Sequence, residues 1–239
     1  MNRVDNQKHG FTIIELMLAM AFVSALLLAI AMTVIQIGNI YNSGITYKDV
    51  NQVGGTISNE LQRSIAVSTP FNISDTGSDS KYIKQDFGGR LCTGTYSYIW
   101  NYGTALAANN PGRLNIYSTG SSNLIRFVKI NDSDGSYCTY PSKEIAPISA
   151  VELLDAGQHN LAIHSFKISS TESVTDDMTG QRLYNIEFEL GTNNTDAITT
   201  DSSGYYICKK PIESGSDTLY CSVIRFNLTA RAGNKNEVN

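Results

Sequence analysis

Charge is scarce in this chain. Asp, Glu, Lys and Arg make up 17% of its 239 residues, and the stretch from Leu16 to Ile35 contains none of them. Hydrophobic residues still reach 41%, so the composition is that of a globular chain with apolar surface to cover, not a disordered one. The formal net charge is −4 and no basic run is longer than Lys209-Lys210, which argues against nucleic-acid binding by bulk positive charge. The four cysteines, Cys92, Cys138, Cys208 and Cys221, include no C-x-x-C pair, so zinc-ribbon spacing is absent. There is no G-x-S-x-G, P-loop or G-x-G-x-x-G motif. His159 and His164 are five residues apart, on opposite faces if they share a strand, and only Asp155 stands near as a third ligand. They are read as structural or surface histidines. The chain is expected to be no enzyme and to need no cofactor.

What is present begins at the N-terminus. Residues 1–10, MNRVDNQKHG, are polar and carry Arg3 and Lys8. After Gly10 the chain turns apolar, and no proline interrupts the twenty uncharged residues from Leu16 to Ile35. As a helix this stretch is about 30 Å long, the thickness of a bilayer's hydrocarbon core. Positive charge ahead of it places the N-terminus in the cytoplasm. A secretory signal peptide would have a shorter apolar stretch and a small-residue cleavage site, but QIGNIYNSGITYKDV, which follows the run, holds no A-x-A site.

A plain membrane anchor leaves Glu15 without a reason. A carboxylate in a transmembrane helix is costly, on the order of 2.5–3.5 kcal/mol at the helix centre on insertion scales, and usually marks a function or a partner. A cut between Gly10 and Phe11 would free an α-amino group one helical turn before Glu15. The two charges could then compensate each other in low dielectric, within one chain or between neighbours.

Gly10, Phe11, Thr12 and Glu15, followed by about twenty apolar residues, resemble the N-terminus of a type IV prepilin or a type II secretion pseudopilin. The resemblance implies cleavage after Gly10 by a prepilin peptidase, N-methylation of Phe11, and a meeting of Glu15 with the terminal amine of an adjacent subunit during assembly. It implies a single-pass inner-membrane protein that later enters an extracellular or periplasmic filament. Its partners would be other pilin or pseudopilin subunits, the assembly platform and the lipid bilayer. A minor pilin acting as a priming or tip subunit fits best; a minor pseudopilin, or a minor pilin whose head binds a surface or DNA, is the alternative. Ser24 stands where many major pilins have glycine, which implies a weaker mid-helix melting point here.

Beyond the apolar run, Val50, Val53, Ile57, Leu61 and Ile65 keep spacings of three and four and predict one apolar stripe on a continuing helix. The expected organisation is a leader over 1–10, a helix over 11–68 with a membrane or filament core at about 11–37, and a β-rich head over 69–239. A break is expected near Asn42-Ser43-Gly44 or Gly54-Gly55, and an end near Ser68, because Pro70 disfavours helix just before it. Residues 72–90 read as a surface connection. Residues 91–100 read as a strand, and RLNIYS and NLIRFVKI as a hairpin. AIHSFKI (162–168), RLYNIEFELG (182–191) and SVIRFNLTAR (222–231) alternate apolar and polar, which predicts an antiparallel sheet with one buried and one wet face. The fold class is therefore α+β, with a long N-terminal helix on a β-sheet head.

The even cysteine count on such a chain suggests disulfides, with four buried thiols as the alternative. Three pairings exist; nearness favours Cys208–Cys221, which leaves Cys92–Cys138. Cys208 and Cys221 also bracket a loop similar to the C-terminal disulfide loop of many pilins. NDSDGS (131–136) fails the EF-hand pattern and leaves only Asp132 and Asp134 as a loose calcium candidate, with an exposed turn preferred. Tyr96, Tyr98, Trp100 and Tyr102 alternate along one segment, and packing against the sheet is preferred over an exposed aromatic face.

Overall fold

The computed structural model describes residues 11–73, 80–107, 114–118, 121–140, 145–146, 150–154, 159–170 and 181–233. The chain forms two compact units, Met1–Asn42 and Ser43–Asn239. The fold is α+β.

Helix α1 spans Ile13–Ala66 without interruption. The expected break at Gly44 or Gly54-Gly55 is absent. A Cβ at Gly54 would collide with the ring of Phe226, so this glycine makes room for an aromatic side chain of the sheet, and packing there offsets the propensity cost. Gly44 and Gly55 face open space. The helix stops just before Ser68, whose hydroxyl donates to the Ile65 carbonyl at 2.8 Å.

In the second unit, Val50, Ile57, Leu61 and Ile65 of α1 are fully buried and form one core with residues from both large sheets. Glu60 holds the helix laterally. It accepts hydrogen bonds from Lys129 and, at 3.0 Å, from the Tyr98 hydroxyl.

The first large sheet has the order β1-β2-β3-β6-β7, all antiparallel: β1 (Tyr82–Gln85), β2 (Gly88–Cys92), β3 (Tyr96–Asn101), β6 (Phe127–Asn131) and β7 (Ala150–Glu152). The expectation of a surface connection over 72–90 is thus corrected: its end is a β-hairpin. Gly88 and Gly89 read as loop residues, but a Cβ at either would strike Trp100, so both are packing positions. A short ribbon pairs β4 (Asn115–Ser118) with β5 (Ser121–Leu124). The segment NLIRFVKI therefore divides. Its start completes this ribbon, and Phe127–Asn131 joins β3 instead. The Asn101 side chain holds the division, donating to the carbonyls of Leu114 and Ile125, both at 2.8 Å. The loop after β3 contains a short helix, α2 (Gly103–Ala107), and a second, α3 (Ser136–Thr139), follows β6.

The second large sheet has the order β12-β9-β8, with β8 (Leu161–Ser170), β9 (Arg182–Thr192) and β12 (Val223–Ala232) antiparallel. A final ribbon pairs β10 (Ile198–Thr200) with β11 (Tyr206–Cys208). Aromatic rings join the large sheets. Trp100 of β3 lies 4.2 Å from Phe166 of β8, and Phe166, Phe188 and Phe226 continue the row across β8, β9 and β12. Such offset pairs add about 0.5–1.5 kcal/mol each beyond burial. Tyr184 of β9 closes the core behind the helix. Its hydroxyl donates to the Phe71 carbonyl at 2.6 Å and its ring stacks on Phe71 at 4.3 Å.

Two disulfides are present, Cys92–Cys138 and Cys208–Cys221. The first ties the end of β2 to α3, and the second closes the loop between β11 and β12.

Candidate functional site

Within the first unit the functional features are apolar surface and one carboxylate. Every side chain from Phe11 to Tyr41 is exposed, Phe11 at 90%. The helix is long and apolar enough to cross a membrane. So large a contiguous apolar surface needs lipid or protein against it.

Glu15 sits in the first turn of α1, and its carboxylate folds back on Thr12. It accepts the Thr12 backbone N–H at 2.9 Å, while the Glu15 N–H points to the Thr12 hydroxyl at 3.3 Å. This is a reciprocal capping box, satisfying two N–H groups that a helix start leaves unpaired. The sequence T-I-I-E carries that signal directly, and attention to charge alone passes over it. The first turn is thus formed by the same two residues that stand beside the expected cut. Gly10 and the leader lie outside the described residues.

Within the second unit, the residues singled out in the sequence are dispersed. Asp132 is buried and turned inward. One carboxylate oxygen accepts from the N–H and hydroxyl of Ser136, and the other from the Ser97 hydroxyl at 2.6 Å and the Tyr137 N–H. Burial pushes its pKa up, but the bonds from Ser97 and Ser136 outweigh that and hold it below the ordinary value. Asp132 therefore fixes the turn that carries Cys138, while Asp134 is exposed beside it. Among the described residues, no three His, Cys, Asp or Glu side chains gather as a metal site.

His159 pairs through Nδ1 with Asp49 of α1 at 2.8 Å. Asp155 lies outside the described residues. His164 does not share the face of Phe166 and Ile168 as alternation predicts. The β8–β9 ladder slips between Ile163 and Ser165, leaving His164 as the extra residue of a bulge. Its Nε2 lies 3.1 Å from the Thr192 carbonyl, and its ring packs on Tyr206 at 5.4 Å. Burial pulls its pKa down to about 4, against smaller opposing contributions from the backbone of Thr192 and Gly191, so the imidazole is neutral near pH 7.

Tyr98 and Trp100 are fully buried and Tyr102 nearly so, which makes the aromatic segment core rather than an exposed face. Tyr96 is partly covered, with the Lys129 ammonium 3.8 Å above its ring. Glu189, expected on a wet face, is buried. It accepts from the Tyr206 N–H and pairs with Arg225 at 3.4 Å, binding the β10–β11 ribbon to the outer side of the sheet. Alternation could not announce this, because the ribbon that covers Glu189 comes from elsewhere in the chain.

Compared with known proteins, the chain matches no family model, no curated protein and no solved structure.

Proposed function

We propose that this chain is a minor pilin-like structural subunit, cut between Gly10 and Phe11 by a prepilin peptidase and then inserted by its N-terminal helix into a type IV pilus-type filament. The observation that carries the reading is the exposed, mainly apolar surface of residues 11–41, in which the Glu15 carboxylate of the first turn is the one charged side chain. A helix that leaves lipid for a bundle of like helices keeps such surface from water throughout. In a simple anchor Glu15 would serve only as the cap of the helix start, a role that needs no charge placed in lipid. A minor pseudopilin of a secretion machine would use the same chemistry, and the disulfide-stapled head suits either compartment.

The test is the state of the native N-terminus together with one substitution. Intact-mass analysis is expected to show a chain beginning at methylated Phe11 when a prepilin peptidase is present, and an uncut leader without it. Glu15→Ala is expected to be cut and to stay in the membrane fraction, yet to be lost from sheared filaments. A native chain that retains its leader, or normal incorporation of Glu15→Ala, would refute the proposal.

A further inference from the structure

Four segments far apart in sequence converge on a groove of about 630 Å³ in the head. They are β1 with the turn after it, the residues around the start of α2, the bulge of β8, and β11. That volume lies within the range of small-molecule sites, which is roughly 300–1,000 Å³. The groove exists because β1 and β8 are edge strands of different sheets. The two sheets touch through the Trp100 and Phe166 rings, and at one end of the groove Tyr102 bridges Ile163.

The bulge works at this place. It places His164 in the groove wall, against Tyr206 on one side and Gly103 on the other. A Cβ at Gly103 would stand 2.8 Å from the imidazole, so the close approach requires glycine. The ring is uncharged near pH 7. At the rim, Lys84, Asp86 and Thr104 are exposed, and Tyr102 and Tyr206 line the wall.

These groups select by elimination. Lys84 and Asp86 oppose each other in sign, and His164 adds no charge, so neither an anion nor a cation is favoured. A metal would find one carboxylate. An apolar ligand would strand several polar groups, each costly to desolvate. An extended peptide would need a run of open backbone on β8, but the Tyr82 hydroxyl already donates to the Phe166 carbonyl at 2.9 Å and the Tyr102–Ile163 bridge shuts one end.

What remains is a ligand that is neutral, rich in hydroxyls and able to lay a C–H face on the Tyr206 ring. We propose that the groove between β1 and β8 is a saccharide-binding site, with the partly exposed Tyr206 ring as the stacking surface, Lys84, Asp86 and Thr104 as the hydrogen-bonding groups, and the buried Tyr102 and His164 forming the wall behind them. The proposal stands apart from the filament reading, since it needs only the head.

The test uses the full chain in a detergent without a sugar headgroup. It is screened against neutral oligosaccharides of glucose, galactose and N-acetylglucosamine, with heparin fragments and sialyllactose as charged comparators. Binding to at least one neutral saccharide is expected. Thr104→Trp, which fills the groove from an exposed position, is expected to weaken it at least about tenfold with the melting temperature unchanged. The double variant Lys84→Ala, Asp86→Ala, also at exposed positions, is expected to weaken it similarly and serves if Thr104→Trp does not fold. The proposal is overturned by an absence of neutral-saccharide binding up to roughly 10 mM, by binding confined to the charged comparators, or by affinity unchanged in a folded variant.

Discussion

The His164 imidazole is the head's clearest acid-sensitive group. Its folded pKa of about 4 lies below the ordinary 6.5, so the unfolded chain takes up the proton first as pH falls. The stability this contributes is complete above pH 6.5 and is lost as pH drops towards 4. The shift corresponds to about 3 kcal/mol at most. Glu60 and Asp132 complicate the acid limb. Burial raises both, but hydrogen bonds from Lys129 and Tyr98 in the first case, and from Ser97 and Ser136 in the second, hold each below its ordinary value. They too lose stability in acid, so a single pH curve cannot isolate the histidine. Urea denaturation of the parent and of His164→Gln should separate them. The parent is expected to lose stability relative to the variant between pH 6.5 and 4, and equal slopes would show that His164 is not buried neutral. Nothing local in A-I-H-S-F marks His164 for this role, because a bulge arises from the pairing of β8 with β9 and leaves period-two alternation looking intact.

Among the elements, α1 shows how tertiary contacts override propensity. Gly54 and Gly55 are adjacent and locally equivalent, each costing about 1 kcal/mol against alanine in a helix. Their surroundings separate them: Phe226 occupies the space over Gly54, and Gly55 faces outward. Gly54→Ala is therefore expected to destabilise the head by about 1–3 kcal/mol through overpacking. Gly55→Ala is expected to stabilise it by about 0.5–1 kcal/mol. Thermal melts of the two variants check this, and equal effects of the same sign would contradict the packing. The hairpin over 82–92 teaches the same lesson. Gly88 and Gly89 read as turn residues, yet they lie within a strand because Trp100 leaves no room for side chains.

At the scale of the whole molecule, one chain holds two compact units, the first exposing apolar side chains and the second burying them. The second, Ser43–Asn239, holds both disulfides, both large sheets and the buried stripe of α1. A fragment starting at Ser43 is accordingly expected to stay in solution without detergent and to melt within a few degrees of the full chain, since about 1 kcal/mol shifts a domain of this size by roughly 2–4 °C. Aggregation of the fragment, or a much lower midpoint, would show that residues before Ser43 complete the core. The sequence by itself determined the long helix, its uncharged run, the Val50–Ile65 stripe and the three C-terminal strands. These are periodic features, and periodicity is a local property of side-chain spacing. Only the tertiary structure decided that α1 passes through its glycines, that residues 82–92 pair, that Glu189 is covered and that His164 is turned into a groove between two sheet edges. Each of those depends on which distant residue fills the neighbouring space, and no local pattern in a sequence carries that.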